Sequence, residues 1–304
     1  MRILVTGGLG IIGSELVAEL ERKENDVWYC DLYQHHAKKY VRCDIRHMRQ
    51  LRSILNEHSF DYVYHLAAEF GRHNGEDYYE NLWMTNVVGT KNLLELQREF
   101  GFRMIYFSSS EVYGDYNGVM SEEVMEKYAI RQMNDYAMTK WVGEMQVLNS
   151  AELFDTEIVR VRLFNIYGPG EHYSPYRSAI CVFCFHALMG QSYKVYTDHH
   201  RTSLFISDAV RTLGNISERF QPGAVYNIGG TEYHNMQSVS DMILNYIGRS
   251  DDIVEYVQSE PMTTKDKQVD ITLAERDLGH KPEIQLNKGI ASTVDWMRKI
   301  YVNS

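Results

Sequence analysis

The seven residues from Gly7 to Gly13 constrain this chain more than any other stretch. Ile3-Leu4-Val5-Thr6 is an apolar, β-branched run, and glycines at 7, 10 and 13 follow it with the spacing G-x-x-G-x-x-G. Beyond them Ile11, Ile12, Leu16, Val17 and Leu20 recur at helical spacing. A strand that becomes a helix over so short a distance gives each glycine a task. Gly7 makes a tight turn, Gly10 lets the backbone approach a pyrophosphate, and Gly13 packs helix on strand. The unpaired N–H groups and partial positive charge of the helix start then face the phosphates, with Ile11 and Ile12 at that start. Asp31 lies 18 residues past Gly13, at the end of a second predicted strand, where a carboxylate accepts hydrogen bonds from ribose hydroxyls. A negative group there repels a 2′-phosphate, so NAD is expected in preference to NADP, although His35, His36, Lys38 and Lys39 stand nearby.

Short β-branched runs alternate with helical segments through the first half of the chain. Strands are predicted at Arg2–Thr6, Asp26–Asp31, Tyr40–Arg42, Tyr62–His65, Met104–Phe107 and Glu157–Arg162. That rhythm implies an α/β fold, a doubly wound and mostly parallel sheet with helices on both faces. After Tyr167-Gly168-Pro169-Gly170 it loosens. At roughly 150 residues per domain, 304 residues make about two. Residues 1–165 are expected to form the dinucleotide-binding domain, with 201–223 returning to it. Residues 166–200 and 224–304 are expected to form a smaller mixed α/β domain that binds substrate.

A net charge of −10 argues against a surface built for polyanions, so no nucleic acid is expected as a partner. Four unevenly spaced cysteines, Cys30, Cys43, Cys181 and Cys184, are too few to staple a chain of this length and suit a reducing, cytoplasmic setting. The apolar run from Ala179 to Met189 is far short of the roughly 20 residues a membrane helix needs. Cys181 and Cys184 form a lone C-x-x-C without a second ligand pair, and no metal is expected.

Taken together, Thr6–Gly13, Cys43-Asp44-Ile45, DYVYHLAA from Asp61 to Ala68, Asn86-Val87-Val88-Gly89-Thr90, SSSEVYG at 108–114, YAMTK at 136–140, RLFNIYGPG at 162–170 and YNIGG at 226–230 resemble the extended short-chain dehydrogenase/reductase family of nucleotide-sugar epimerases and dehydratases. The resemblance implies a Rossmann-like domain with bound NAD. It also implies that Asp44 and Ile45 lie beside the adenine, and that Leu66, Ala67 and Ala68 run along the cofactor. A homodimer is implied too, through a four-helix bundle made by the helices around Asn86–Phe100 and Tyr136–Leu148.

Tyr136 and Lys140 are one helical turn apart and so share a face. A nearby ammonium, aided by a positive nicotinamide ring, is expected to pull the phenol towards neutrality, where it acts as a general base. Ser108-Ser109-Ser110 follow a predicted strand, and by the family pattern Ser109 supplies the catalytic hydroxyl. Removal of a sugar hydroxyl proton with hydride transfer to NAD gives a 4-keto sugar. Glu111 is positioned by the resemblance to take the C5 proton, as in 4,6-dehydratases and glucuronate decarboxylases. Ser110 stands where dTDP-glucose dehydratases carry an aspartic acid to protonate the departing hydroxyl. Glu69, Asn165, Arg201, Asn227 and Lys267 match substrate-holding positions. The expected activity is a nucleotide-sugar 4,6-dehydratase. UDP-glucuronate decarboxylase and 4-epimerase stand as alternatives, and a dinucleotide-sensing binding protein is the non-enzyme reading.

Overall fold

The computed structural model describes residues 1–303. The first part contains strands β1 (Arg2–Thr6), β2 (Asp26–Asp31), β3 (Tyr40–Arg42), β4 (Tyr62–His65), β5 (Arg103–Ser109) and β6 (Ile158–Leu163). Helices α1 (Ile11–Arg22), α2 (Met48–Glu57), α3 (Arg72–Asp77), α4 (Tyr79–Trp83), α5 (Thr90–Phe100), α6 (Val124–Lys127) and α7 (Asp135–Phe154) lie between them. The second part runs β7 (Ile166–Tyr167), α8 (Ala179–Met189), β8 (Tyr193–Tyr196), β9 (His200–Thr202), β10 (Leu204–Phe205), α9 (Ile206–Leu213) and β11 (Val225–Ile228). Then come β12 (Tyr233–Asn235), α10 (Met236–Ile247), β13 (Val254–Val257), β14 (Asp266–Lys267), α11 (Thr272–Leu278) and α12 (Leu286–Tyr301).

Seven strands form one parallel sheet in the order β11-β6-β5-β4-β1-β2-β3. The order reverses between β1 and β4, and a crevice opens beyond their carboxyl ends. Helices cover both faces, so the central strands are buried along their length. All four residues of β4 are buried, including two tyrosines and a histidine. Each polar tip has a partner, as burial requires. Tyr64 Oη donates to the Leu213 carbonyl and accepts from Ser217 N, and the His65 ring lies between Thr6 Oγ1 and Thr90 Oγ1 at 2.9 and 3.0 Å. Burial pushes His65 down to about 3, so the ring is neutral.

The sequence assigned 224–304 to the smaller domain, and the structure corrects part of this. Val225–Ile228 pairs with β6 as the edge strand of the main sheet. Its residues Tyr226 and Ile228 belong to the core shared by α1 and α9, so this segment is held by burial on the first domain. A separate core joins α8, α10 and α12 around Phe183, Val195, Ile243 and Val294, which leaves the smaller unit an apolar centre of its own.

Between β6 and α7 lies a polar knot. Glu144 is 0% exposed and accepts from Arg162 Nε and Nη2 at 2.9 and 2.8 Å and from Arg160 Nη1 at 3.2 Å. Arg162 Nη1 donates to Tyr113 Oη and to the Glu122 carbonyl. No helix among the described residues is long and apolar enough to cross a membrane.

Candidate active site

The crevice is a cavity of about 640 Å³ reaching from the glycine turn to the end of β5. Gly7 has φ +73°, and a Cβ there would come within 2.7 Å of Ala67 N. At Gly13 a Cβ would lie 2.1 Å from the Gly7 carbonyl oxygen, so helix and turn touch without side chains between them. Gly10 caps α1 with no side-chain hydrogen bond, which leaves the first N–H groups of the helix open to an anion. Asp31 spans the mouth of the turn, with Oδ2 accepting from Leu9 N at 3.0 Å and Oδ1 from Leu32 N at 2.7 Å. A carboxylate has about four acceptor positions, so capacity remains for ribose hydroxyls. Ile45, Leu66, Ala67 and Ala68 line the wall, and Asp44 lies beside them. Although burial opposes it, the fork of Arg46 holds the Asp44 carboxyl below its ordinary value. A glycine cradle, an open helix end, a free carboxylate edge and an apolar wall together fit a dinucleotide.

The catalytic candidates hang from two elements. Ser109 ends β5 and caps the short turn after it, accepting from Glu111 N at 3.2 Å. Asn134 caps α7 by accepting from Ala137 N, which fixes the first turn where Tyr136 sits. Ser109, Glu111, Tyr136 and Lys140 all line the cavity. Ser110 does not. It is 4% exposed and lies off the lining, because the turn that brings Ser109 and Glu111 to the cleft carries the residue between them into the protein.

Tyr136 and Lys140 both face the cavity from the first turns of α7. Lys140 Nζ donates to the Phe107 carbonyl at 2.9 Å and lies 5.9 Å from the centre of the Tyr136 ring. Burial lowers Lys140 to about 8. Burial raises Tyr136 to about 12, with the Glu111 charge adding to the rise and a Ser109 hydrogen bond opposing it. The phenol is therefore neutral in the free cleft.

Glu111 faces one close partner. Burial alone would raise its pKa, but Lys267, by charge and by a hydrogen bond to Oε1, holds it at about 2, helped by the charges of Arg72 and Arg201. Lys267 itself is 1% exposed and lies outside the lining, and its ammonium meets the cleft through Glu111. Arg201 does line the cavity. Its guanidinium donates to the carbonyls of His200 and Lys265 and meets His199 Nδ1, with no ion pair among the described residues. Asn165, at φ +41°, donates to the Thr202 carbonyl beside it. Glu69 accepts from Asn74 and Asn81.

Asn227 is a further correction. It is 0% exposed, accepts from Tyr113 Oη at 2.7 Å and donates to the carbonyls of Met120 and Asp270. Its hydrogen bonds are spent inside the protein because its strand belongs to the main sheet. Among the described residues, no group of three or more His, Cys, Asp or Glu is arranged to hold a metal.

Two residues escaped the sequence reading. Asn86 sits in a π-helical turn, Met84–Gly89, that joins α4 to α5. Its amide pins Glu69 through both the N–H and the carbonyl at 2.9 and 3.0 Å, an insertion of the kind found near functional sites. Its motif was visible, but its inward turn was not. Arg72 opens α3 and lines the cavity.

A family model described as NAD dependent epimerase/dehydratase matches residues 3–229. The chain is 30% identical over 320 residues to the UDP-N-acetyl-alpha-D-glucosaminuronate decarboxylase of Bacillus cytotoxicus, covering 98% of each chain. It is 29% identical over 322 residues to the dTDP-glucose 4,6-dehydratase of Streptomyces niveus, covering 98% of this chain and 93% of that one. Among solved structures, UDP-glucuronic acid 4-epimerase from Bacillus cereus, in complex with UDP-glucuronic acid and NAD, superposes with a TM-score of 0.87 at 26% identity, covering 99% and 100% of the two chains. The glycine cradle, the Tyr136–Lys140 spacing and similarity along nearly the whole chain agree, and the chain belongs to the NAD dependent epimerase/dehydratase family.

Proposed function

We propose that this chain is an NAD-dependent decarboxylase of a nucleoside-diphosphate hexuronate. Gly7, Gly10, Gly13 and the start of α1 hold the pyrophosphate of the coenzyme, and Asp31 holds its ribose. When bound, the nicotinamide supplies the acceptor, and later the donor, of a hydride at sugar C4. Tyr136 takes the C4 hydroxyl proton, and Ser109 hydrogen-bonds the same oxygen. The phenol at about 12 is too weakly acidic to do this in the free cleft, so a positive charge arriving beside it is part of the scheme. The 4-keto uronate is a β-keto acid. Its C5–C6 bond breaks, carbon dioxide leaves, and the electron pair forms an enolate over C4 and C5. C5 then takes a proton. Lys267, at about 8 and hydrogen-bonded to Glu111, is the local store of that proton.

The observation that carries this reading is the placement of Ser110. With that residue off the cleft, no group is dedicated to protonating a departing C6 hydroxyl, and decarboxylation requires none. A second reading, 4,6-dehydration, is favoured by one fact. Glu111 lines the cavity with Ser109 and Tyr136, where a carboxylate can remove the C5 proton, a step that dehydration needs and decarboxylation does not. Incubating the purified protein and NAD with UDP-glucuronate and with dTDP-glucose, and weighing the products, separates the two. Carbon dioxide lost from the uronate is expected. Water lost from the neutral sugar alone, or no change of mass, would overturn the proposal.

Exposed Met84, Val88, Met138, Met145 and Leu148 form an apolar face on the π-turn and α7, and the proposal seats a second copy of the chain there. Light scattering should give a dimer that Met145→Glu converts to monomer.

A further inference from the structure

We propose that Arg72 selects the substrate by gripping a carboxylate on sugar C6, exchanging Glu260 for it when the sugar binds. The inference rests on the decarboxylase reading and gives it a recognition residue.

Arg72 is held in place by its neighbours. Gly71 before it has φ +90°, and a Cβ there would lie 2.9 Å from the Tyr176 carbonyl oxygen, so this turn is pressed against the loop of the smaller unit. Gly75, one turn further along α3, lies against the first turn of α7, where a Cβ would approach Tyr136 N at 3.5 Å. The helix that presents Arg72 is thus packed on the residue that presents the phenol. Arg72 and Glu111 line the same cavity, and the Arg72 charge is felt at Glu111, Arg201 and Lys267.

Its hydrogen bonding is incomplete in a telling way. Nη2 is paired with Glu260 Oε1 at 2.5 Å and lies 3.3 Å from His73 Nε2. Nε is buried and has no partner. Nε and Nη2 are the two donors of the side-on fork that a carboxylate takes in bidentate fashion. Glu260 occupies one of them and leaves the other dry, which costs free energy unless an acceptor arrives. A substrate carboxylate engaging both donors completes the fork. Glu260 lies on the segment between β13 and β14, with its own N–H donating to His199 Nε2 and Oε1 also meeting His73 Nε2, and it lines the same cavity as Arg72, so a carboxylate entering there meets both. The simpler alternative is a clasp that only ties α3 to that segment.

The test compares a nucleoside-diphosphate uronate with the matching neutral hexose in wild type, Arg72→Met, Arg72→Lys and Glu260→Gln. Coenzyme binding, read by fluorescence, verifies folding in each variant. For Arg72→Met the KM for the uronate should rise about ten- to a hundredfold, the loss of a charged bidentate contact, and its dissociation constant should rise at least about tenfold more than that of the neutral hexose. Arg72→Lys, which keeps the charge and loses the fork, should recover only part of that loss. Glu260→Gln should leave the uronate KM unchanged or lower it. If Arg72→Met and Glu260→Gln impair both sugars equally, the pair is a clasp and the inference fails, while carbon dioxide release by the wild type keeps the decarboxylase reading. A wild type that releases no carbon dioxide from the uronate overturns both.

Discussion

Two carboxylates in this molecule meet cations away from bulk water, and they are built for different ends. Glu144 is held by three donors from Arg162 and Arg160 between β6 and α7, and Arg162 spends a further donor on Tyr113 and the Glu122 carbonyl. Glu111 lies at the edge of the cleft with one close partner, Lys267, 156 residues away in the chain. Arginine keeps its proton at every accessible pH, so the first pair cannot discharge. Lysine brought down to about 8 by burial can. A pair that cannot lose its charges fixes two elements together, whereas one poised near neutrality can pass a proton to a substrate.

The largest effect is expected at the first pair. Glu144→Gln leaves the Arg162 guanidinium, 1% exposed, without a counter-charge, and urea unfolding should show a loss of about 3–5 kcal/mol. Glu111→Gln should cost less in the same measurement, on the order of 1–2 kcal/mol, because Lys267 can shed its proton once alone. Equal losses would erase the distinction between the pairs.

A smaller effect, of opposite sign, is expected at Lys140, whose buried ammonium has one carbonyl acceptor. Lys140→Met should gain on the order of 1 kcal/mol in folding stability at neutral pH while abolishing turnover. Between about 8 and 10.5 the unfolded wild type holds a proton that folded Lys140 has released, so wild-type stability rises with pH there and the advantage of the variant should shrink. An advantage that is constant with pH would remove the buried charge as its cause. The smallest effect lies on the acid side. Folded Glu111 sits at about 2 against an ordinary 4.5, so its contribution is complete above 4.5 and disappears as pH falls through 2. The stability gap between wild type and Glu111→Gln should close over that window, and a gap that stays fixed would count against the ion pair.

Much of the first domain was legible because its signals are local. β1 to β4 end where the apolar runs end, and β5 and β6 differ from expectation by a residue or two at their ends. The glycine turn and the Tyr136–Lys140 spacing needed only neighbouring residues to be read. What escaped depends on partners distant in sequence. Periodicity says that Val225–Ile228 is a strand, but not that β6 claims it, and this is why Asn227 was misplaced at the substrate. The same blindness hid the Glu111–Lys267 pair and the Phe107 carbonyl that takes the Lys140 ammonium. Arg72 carries no motif at all, and only the packing of α3 on α7 gives it a direction.

Lys267 sits on β14, which pairs only with β9, whereas the glycine turn, the phenol and the serine hang from the main sheet and α7. A disturbance that lifts β14 from β9 would therefore strip Glu111 of its counter-charge and leave the rest of the cleft standing, so the charge on that carboxylate reports how firmly the small sheet is seated.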